Sequence, residues 1–292
     1  MNIVIISPIN DLNISENIND QFMVLAWLLQ EEPSYLKYFK KLKKKHPNVF
    51  VTLDNGLNEN RLVKGQELID LALDINADEI ITPDVYMDGP NTITETSIFL
   101  DNHLDVLKNL NVMSVPQGHD RASFLSCFEN FLEDKRINTL GIGYRNLYKA
   151  LQPEMEKMSN EEWTNFGIPN VKKLRSIIKE STFYYTVSRL YFIRKYVSFI
   201  QLREHNKNIH LLGLWNPYEL SLYKTIFSED ELKYIRSCDS AAPNQAAQVG
   251  VKFDSSYGVL DKPIAYLDFK SKMTDDQIKM SLENIEQMRS WI

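Results

Sequence analysis

Three aspartates, Asp54, Asp84 and Asp239, each follow a short apolar run of the sequence, and Gln117 follows a fourth run of the same kind. Two carboxylates beside a sugar carbon support displacement through a covalent intermediate, because one attacks the carbon while the other carries protons. A third carboxylate beside a glutamine amide offers acceptors and donors that suit the edge of a purine. These residue types therefore favour a glycosyl-transfer site.

Apolar runs that stop at polar or glycine residues recur along the whole chain. Such runs are typical of strands that are buried on both faces of a parallel sheet. Helical patterns lie between them, and the repeat of roughly 25–35 residues matches a βα unit. The sequence predicts an α/β fold, a TIM-like (β/α)₈ barrel, with an open doubly wound sheet as the second choice. The predicted strands are 3–6, 49–53, 79–83, 112–116, 139–143, 209–212, 234–238 and, to complete eight, a run near 251–253.

The ends of these runs define a candidate pocket. In a (β/α)₈ barrel the catalytic groups lie at the carboxyl ends of the strands. Carboxylate, amide and glycine residues occupy that position six times, which predicts one mouth that combines acid–base groups with hydrogen-bonding groups. The positions are Asp54, Asp84, Gln117, Gly143, Gly213 and Asp239.

One domain, 1–292, accounts for the chain. Residues 145–208 interrupt the alternation of strands and helices, so we expect a helical insertion there, with a single aromatic-rich helix over 182–205. A C-terminal amphipathic helix is predicted over 274–292, opened by a capping box at Thr274. Other helices are predicted at 61–75, 94–110, 122–131 and from 216 onward.

The charge of the chain is uneven. Its formal net charge is −6, yet residues 145–208 contain twelve Lys and Arg against six Asp and Glu. A local basic face is compatible with a phosphate backbone as the partner. Arg189, Arg194 and Lys195 are therefore candidates for contact with a nucleic acid, although packing against the barrel is the other role open to their helix.

Several classes of protein are disfavoured. No run of 18 uncharged apolar residues is present, and the first residues lack a basic leader, so neither a membrane partner nor a signal peptide is expected. Cys127 and Cys238 form no disulfide framework, which favours a reducing cytoplasm. His205 and His210 fit no zinc motif, and Gly141-Ile142-Gly143 lacks the third glycine of a dinucleotide loop. We expect no metal and no cofactor.

A collinear set of short motifs resembles the tRNA-guanine transglycosylases over residues 50–250. The closer similarity is to the DpdA-type phage enzymes, which exchange guanine in DNA for a 7-deazaguanine. The motifs are Asp54-Asn55-Gly56, Pro83-Asp84, Val115-Pro116-Gln117-Gly118, Gly141-Ile142-Gly143, Leu211-Leu212-Gly213-Leu214-Trp215-Asn216-Pro217 and Cys238-Asp239-Ser240-Ala241-Ala242-Pro243.

The resemblance implies a role for each position. Asp239 is then the nucleophile that attacks C1′ of the target deoxyguanosine, and Asp54 is the general acid/base. Asp84 and Gln117 bind the guanine-like edge. The backbone of Gly141 to Gly143 serves the oxygen of the base, and Leu212 and Gly213 form part of the pocket wall. The implied partners are duplex DNA with a flipped guanine and a free 7-deazaguanine base.

The chain also departs from the family pattern. No cysteine follows Cys238, so the family's zinc site is absent, and Pro243-Asn244-Gln245 replaces Pro-Thr-Arg. Asn58 stands where an aromatic residue would stack on the base, which leaves Trp215 or Tyr144 as replacements. These departures favour DNA over tRNA. A tRNA-guanine transglycosylase, a barrel glycosidase or nucleoside hydrolase, and a catalytically silent binding barrel remain alternatives.

Overall fold

Eight parallel strands form a nearly closed barrel surrounded by helices, which confirms the predicted (β/α)₈ fold. The computed structural model describes residues 1–258 and 266–292. Neighbouring strands are hydrogen-bonded in the order β1-β8-β7-β6-β5-β4-β3-β2. The strands are β1 Asn2–Ile5, β2 Gln21–Leu25, β3 Phe50–Asp54, β4 Glu79–Ile81, β5 Asn111–Ser114, β6 Thr139–Gly143, β7 Asn208–Leu212 and β8 Ile235–Ser240.

The seam between β1 and β2 is bridged by a side chain. The Asn19 amide, just before β2, accepts from the backbone N–H of Ile5 at 3.2 Å and donates to the Ile5 carbonyl at 2.9 Å. One asparagine thus pairs with both backbone groups of Ile5, and Ser15 Oγ also donates to the Ile5 carbonyl at 2.9 Å, so the edge of β1 is not left unpaired there.

One strand was predicted in the wrong place. Residues 251–253 form no strand, and the backbone N–H of Phe253 instead donates to the Asn284 side chain at 2.8 Å. The eighth strand is β2, whose apolar residues continue directly into the helix Ala26–Glu31. An apolar run without a polar stop lacks the boundary by which the other strands are recognised, and this explains the error.

The helices lie outside the strands. The predicted helix 94–110 divides into two, and the predicted single helix 182–205 breaks at Val197, where the backbone is extended and Ser198 caps the next helix. Two short 3₁₀ turns span Ile9–Asp11 and Leu57–Glu59. The α-helices are α1 Leu12–Glu16, α2 Ala26–Glu31, α3 Pro33–Lys45, α4 Gln66–Asp74, α5 Gly89–Asn102, α6 Leu104–Leu107, α7 Arg121–Glu133, α8 Tyr144–Met155, α9 Asn160–Phe166, α10 Val171–Ile177, α11 Glu180–Tyr196, α12 Phe199–Glu204, α13 Tyr218–Ile226, α14 Glu229–Leu232, α15 Ala242–Gln248 and α16 Asp275–Arg289.

The insertion packs through aromatic side chains. Phe192 of α11 lies edge-on to Phe124 and Phe128 of α7, at 5.3 and 5.1 Å between ring centroids. Trp163 of α9 contacts Phe183 of α11 in the same manner at 5.5 Å. These buried rings attach α11 to the barrel, which is the packing role left open for this helix.

The C-terminal helix follows its prediction. Thr274 accepts from the backbone N–H of Gln277, and the Gln277 side chain accepts from the backbone N–H of Thr274, so the predicted capping box is confirmed. The helix packs against α15, where Ser281 donates a hydrogen bond to Asn244. It therefore supports the segment that follows Asp239.

The barrel interior has two chemically different ends. Val4, Met23, Ile81, Met113 and Val115 form an apolar layer within it. At the end where the strands begin, Arg236 of β8 forms a bidentate ion pair with Glu79 of β4, at 2.8 and 2.7 Å. The carboxyl ends of the strands form the opposite end, where the predicted site residues lie.

No α-helix among residues 1–258 and 266–292 combines the length and the apolar character that crossing a bilayer requires.

Candidate functional site

The structure places the predicted site residues at one end of the barrel. Asp54 is the last residue of β3, and Asp239 lies near the end of β8. Asp84 follows β4 by three residues, and Gln117 follows β5 by three. Gly213 comes directly after β7. Because all eight strands are parallel, these positions share the mouth where barrel enzymes carry their catalytic groups.

Asp239 has one oxygen held and one oxygen free. Its Oδ1 accepts from the backbone N–H of Gly213 at 2.9 Å and lies 3.0 Å from His210 Nε2. Within the described part of the chain, Oδ2 has no hydrogen-bond partner. Gly213 has φ +65°, a left-handed conformation that glycine adopts without strain and that directs its N–H toward the carboxylate. The side chain is buried, yet one oxygen stays available for chemistry.

Asp54 is a carboxyl group that resists ionisation. Burial raises its pKa well above the ordinary value, and the charge of Glu59 raises the pKa further. The charges of Asp239 and Asp84 act in the same direction, while the backbone N–H of Gly56, 3.1 Å from Asp54 Oδ1, opposes them. A carboxyl group that keeps its proton to a higher pH than an ordinary aspartate is better suited to act as a general acid.

Asp84 is held by two side-chain amides. Asn55 Nδ2 donates to its Oδ1 at 2.9 Å, and Gln117 Nε2 donates to its Oδ2 at 2.6 Å. Burial raises the pKa of Asp84 to about 6, against the lowering effect of these two hydrogen bonds. The group therefore changes its protonation state close to physiological pH.

Gln117 is itself fixed from the other side. Its Oε1 accepts from Asn146 Nδ2 at 3.0 Å and from the backbone N–H of Met87 at 3.1 Å. Met87 has φ +60°, which is uncommon for a residue other than glycine. These contacts keep the Gln117 amide group facing Asp84, so the two residues form one prearranged polar surface.

The two glycines of β6, Gly141 and Gly143, lie close to different neighbouring side chains. A Cβ at Gly141 would lie 2.9 Å from Leu212 Cδ1 and 3.1 Å from Met113 Sδ, so a side chain there would have to displace the ends of these two side chains. A Cβ at Gly143 would approach Asn146 Oδ1 to 3.1 Å. Leu212 is half-buried against the apolar layer. Close packing therefore accounts for Gly141, and none of these contacts identifies a ligand.

Two residues at this end were not predicted. Glu59, in the 3₁₀ turn after β3, has a buried Oε2 without a hydrogen-bond partner among the described residues. Burial and the charge of Asp239 raise the pKa of Glu59, whereas hydrogen bonding from Asn58 and the charge of Arg145 lower it. His210 was considered only as a metal ligand, yet it contacts Asp239. No sequence motif marks either residue, although His210 does belong to a predicted strand, and a buried polar side chain in a strand is unusual.

Arg189 corrects one predicted contact. Its guanidinium is fully buried, pairs with both carboxylate oxygens of Glu219 at 2.8 and 2.7 Å, and donates to the Leu212 carbonyl at 2.7 Å. It is therefore not accessible to a nucleic acid, because the end of β7 and the buried Glu219 require its donors. From the sequence, a charged residue such as Arg189 in an aromatic-rich helix was expected on the surface. In the structure Arg189 is buried and neutralises the buried charge of Glu219.

Arg194 and Lys195 are exposed near the end of the same helix. Lys195 donates to Glu154 at 2.7 Å, and Arg194 lies 3.5 Å from the Ile226 carbonyl. Their contact with a nucleic acid stays a prediction.

The two aromatic candidates for stacking lie near the mouth. Trp215 is buried in a small cluster with Ala242, Ala246 and Phe253, and Tyr144 packs against this cluster.

Among the described residues no group of three or more His, Cys, Asp or Glu side chains is arranged to hold a metal ion.

Comparison with known proteins adds no relative: no protein-family model matches this chain, and no curated protein matches it.

Proposed function

We propose that this protein is a DNA-guanine transglycosylase, a pentosyltransferase that exchanges guanine in DNA for a 7-deazaguanine such as 7-cyano-7-deazaguanine. One observation carries the proposal. Asp239 has one oxygen fixed by backbone and side-chain contacts and the other free, at the same end of the barrel as the prearranged pair of Asp84 and Gln117. The collinear motifs of the sequence support the assignment of these roles.

The reaction uses two displacements at one carbon. Asp239 Oδ2 attacks C1′ of the target nucleotide, and the C1′–N9 bond breaks as Asp54 transfers its proton to the departing guanine. The incoming base then loses its N9 proton to Asp54, attacks C1′ and releases the Asp239 carboxylate. The configuration at C1′ is retained, as in retaining glycosidases. No redox or nucleotide cofactor is required, because one glycosidic bond replaces another.

The raised pKa of Asp54 supports its role as the proton carrier. A general acid must hold a proton at the working pH and release it only in the transition state. Burial and the neighbouring Glu59 keep Asp54 protonated to a higher pH than an ordinary aspartate. Asp239, with two hydrogen-bond contacts on one oxygen and the other oxygen free, is suited to the other role, that of the nucleophile.

Asp84 and Gln117 are assigned to the base. The ionised Asp84 accepts from the ring N–H and the exocyclic amine that guanine and 7-deazaguanines share, and Gln117 contributes the adjacent amide. The backbone of Gly141 to Gly143 serves the oxygen of the base, and Leu212 and Gly213 form the wall. Binding of the base replaces hydrogen bonds that Asp84 now receives from Asn55 and Gln117.

The partner in this proposal is duplex DNA. The target guanine must leave its stack to bring C1′ to a buried Asp239, since the chemistry is not accessible inside a duplex. Arg194 and Lys195 are the basic candidates for the backbone. The host cytoplasm is the proposed location, as in the DpdA-type phage enzymes that the motifs resemble.

Base exchange with labelled guanine tests the proposal. The protein is incubated with radiolabelled guanine and either duplex DNA or tRNA, and incorporation into the polymer is measured. We expect incorporation into DNA, and we expect Asp239→Asn and Asp239→Ala to abolish it while their melting temperatures stay close to that of the wild type. Asp105→Asn is the matched control, because Asp105 is almost fully exposed and lies in α6, just before β5 begins, whereas the mouth is formed by the strand ends.

The other outcomes separate the alternatives. Incorporation into tRNA alone would assign the protein to the tRNA enzymes. Release of a free base or sugar without incorporation would assign a glycosidase or nucleoside hydrolase, in which water replaces the incoming base. A folded Asp239→Ala variant with normal exchange would remove Asp239 as the nucleophile.

A further inference from the structure

His210 is buried inside the barrel and has a partner on each ring nitrogen. Its Nε2 lies 3.0 Å from Asp239 Oδ1, and its Nδ1 lies 2.8 Å from Ser237 Oγ. Ser237 and Asp239 are two residues apart on β8, so both point into the barrel beside the β7 histidine. The ring therefore spans from a hydroxyl below to the candidate nucleophile above.

The neighbours determine which nitrogen carries hydrogen. As a carboxylate, Asp239 only accepts hydrogen bonds, so in a neutral ring Nδ1 is the acceptor, and it accepts from the Ser237 hydroxyl, which itself accepts from Arg236 Nε at 3.3 Å. Nε2 then bears hydrogen and faces the carboxylate. In a protonated ring both nitrogens bear hydrogen. In either state Nε2–H donates to Asp239 Oδ1.

Arg236, the first residue in this series of hydrogen bonds, is held rigidly. The Arg236 guanidinium is fixed by its bidentate pair with Glu79, and Glu79 also accepts from Thr52 at 3.0 Å and Thr139 at 2.7 Å. Arg236, Ser237, His210 and Asp239 thus connect the two ends of the barrel interior. The orientation of the His210 ring is thus fixed by side chains of β3, β4, β6 and β8. Of these side chains, only Asp239 belongs to the sequence motifs.

We propose that His210 is a positioning residue for Asp239. Together with the Gly213 N–H, His210 stabilises the Asp239 carboxylate as it leaves C1′ in the second displacement. The proposal rests on the proposed transglycosylase function for its chemistry, while the hydrogen bond exists without it. With Oδ1 held by two N–H donors, the carboxylate cannot rotate, and Oδ2 remains the attacking atom.

The donors act differently in the two steps. After the first displacement Oδ2 is bonded to C1′, and Oδ1 is the carbonyl oxygen of the ester. In the second displacement the C1′–Oδ2 bond breaks, its electron pair returns to the carboxylate, and negative charge develops on Oδ1. Fixed donors directed at developing charge lower a barrier more than they lower the energy of the ground state. His210 therefore affects the breakdown of the intermediate more than the binding of DNA.

Three variants test this role through steady-state kinetics of base exchange. His210→Leu removes the donor, and removal of one such donor costs about 10²-fold in kcat; we expect that loss together with a lower apparent KM for DNA, so that kcat/KM for DNA stays nearly unchanged, because only the second displacement is slowed. The covalent protein–DNA species should accumulate in His210→Leu, visible as a band that survives denaturation. His210→Gln places an amide N–H near the same point and should recover at least about a tenth of wild-type kcat. Ser237→Ala keeps the imidazole and should fall between them.

A second measurement does not depend on activity. Nitrogen NMR of the histidine-labelled protein without substrate should show a hydrogen-bearing Nε2 in His210, and Asp239→Asn should shift its resonance. If the wild type exchanges no base but this signal is present, the proposed function fails and the positioning contact stands. An unprotonated Nε2 would overturn the inference, and so would a folded His210→Leu variant with wild-type kcat.

Discussion

The barrel interior contains carboxylates at both of its ends, and their surroundings differ. At the end where the strands begin, Glu79 is buried with a bidentate arginine and two threonine hydroxyls. Burial alone would raise its pKa, but the hydrogen bonds and charge of Arg236 lower the pKa below the ordinary value. At the mouth, the half-buried Asp54 and the buried Asp84 form no ion pair with a cation among the described residues, and desolvation raises the pKa of both.

The difference separates a structural carboxylate from candidate catalytic ones. A buried charge is stable when a cation and several donors surround it, and such a group has no capacity left for a substrate. At the mouth, the charges of Glu59, Asp239 and Asp84 add to desolvation in raising the pKa of Asp54, and Asp239 retains an unused oxygen, Oδ2. Free hydrogen-bonding capacity, more than burial, distinguishes the mouth from the opposite end.

The largest expected effect is the loss of proton transfer at the mouth. Asp54→Asn should lower kcat for base exchange by about 10²–10⁴-fold, the usual contribution of a general acid/base. The variant should be at least as stable as the wild type, since the amide removes a buried carboxyl group that is costly to ionise. Exchange kinetics and urea denaturation measure the two properties. Wild-type kcat in Asp54→Asn would place the proton carrier elsewhere, with Glu59 as the next residue to test.

An effect on stability is expected at the opposite end. Arg236→Met leaves Glu79 without its cation, and breaking a buried ion pair in this way costs about 3–5 kcal/mol of unfolding free energy. The double variant Arg236→Met/Glu79→Gln removes the stranded charge and should regain most of the loss. Urea denaturation at pH 7 measures both. Equal stability of the single and double variants would show that Glu79 is compensated by other groups.

A smaller effect depends on pH and concerns Asp84. Its pKa is raised from 3.8 to about 6, so the folded protein binds a proton that the unfolded chain releases. The contribution of protonated Asp84 to the free energy of unfolding is fully present below pH 4, and it is lost as the pH rises through about 6. This difference of roughly two pKa units corresponds to about 3 kcal/mol between pH 4 and pH 7.

Asp84→Asn is the variant that isolates this contribution. It lacks the titrating group, so its stability relative to the wild type should increase by up to about 3 kcal/mol as the pH rises from 4 to 7. Asp54 and Glu59 titrate in both proteins, so subtraction of the two curves reduces their contribution. Parallel curves over this range would contradict a raised pKa for Asp84.

Much of the fold could be predicted because its signals are local. Seven strands were recognisable as apolar runs that stop abruptly at polar or glycine residues, and the parallel arrangement then placed Asp54, Asp84, Gln117 and Asp239 at one end. The capping box at Thr274 is likewise a pattern within four residues. The strand Gln21–Leu25 escaped because its apolar run continues into α2, so no local boundary separates the two elements.

The environment of each site residue depended on contacts between distant parts of the chain. Local sequence patterns were sufficient to predict the barrel and the end at which the candidate site lies, because strand periodicity and turn residues act over a few positions. No local pattern indicates that Arg189 is buried against Glu219, that Glu59 lies near Asp54, or that His210 contacts Asp239 between β7 and β8, since these contacts form only when the barrel packs. Burial and hydrogen-bond partners are properties of the packed barrel, and the same residue type is a surface charge or a buried counter-ion according to what surrounds it.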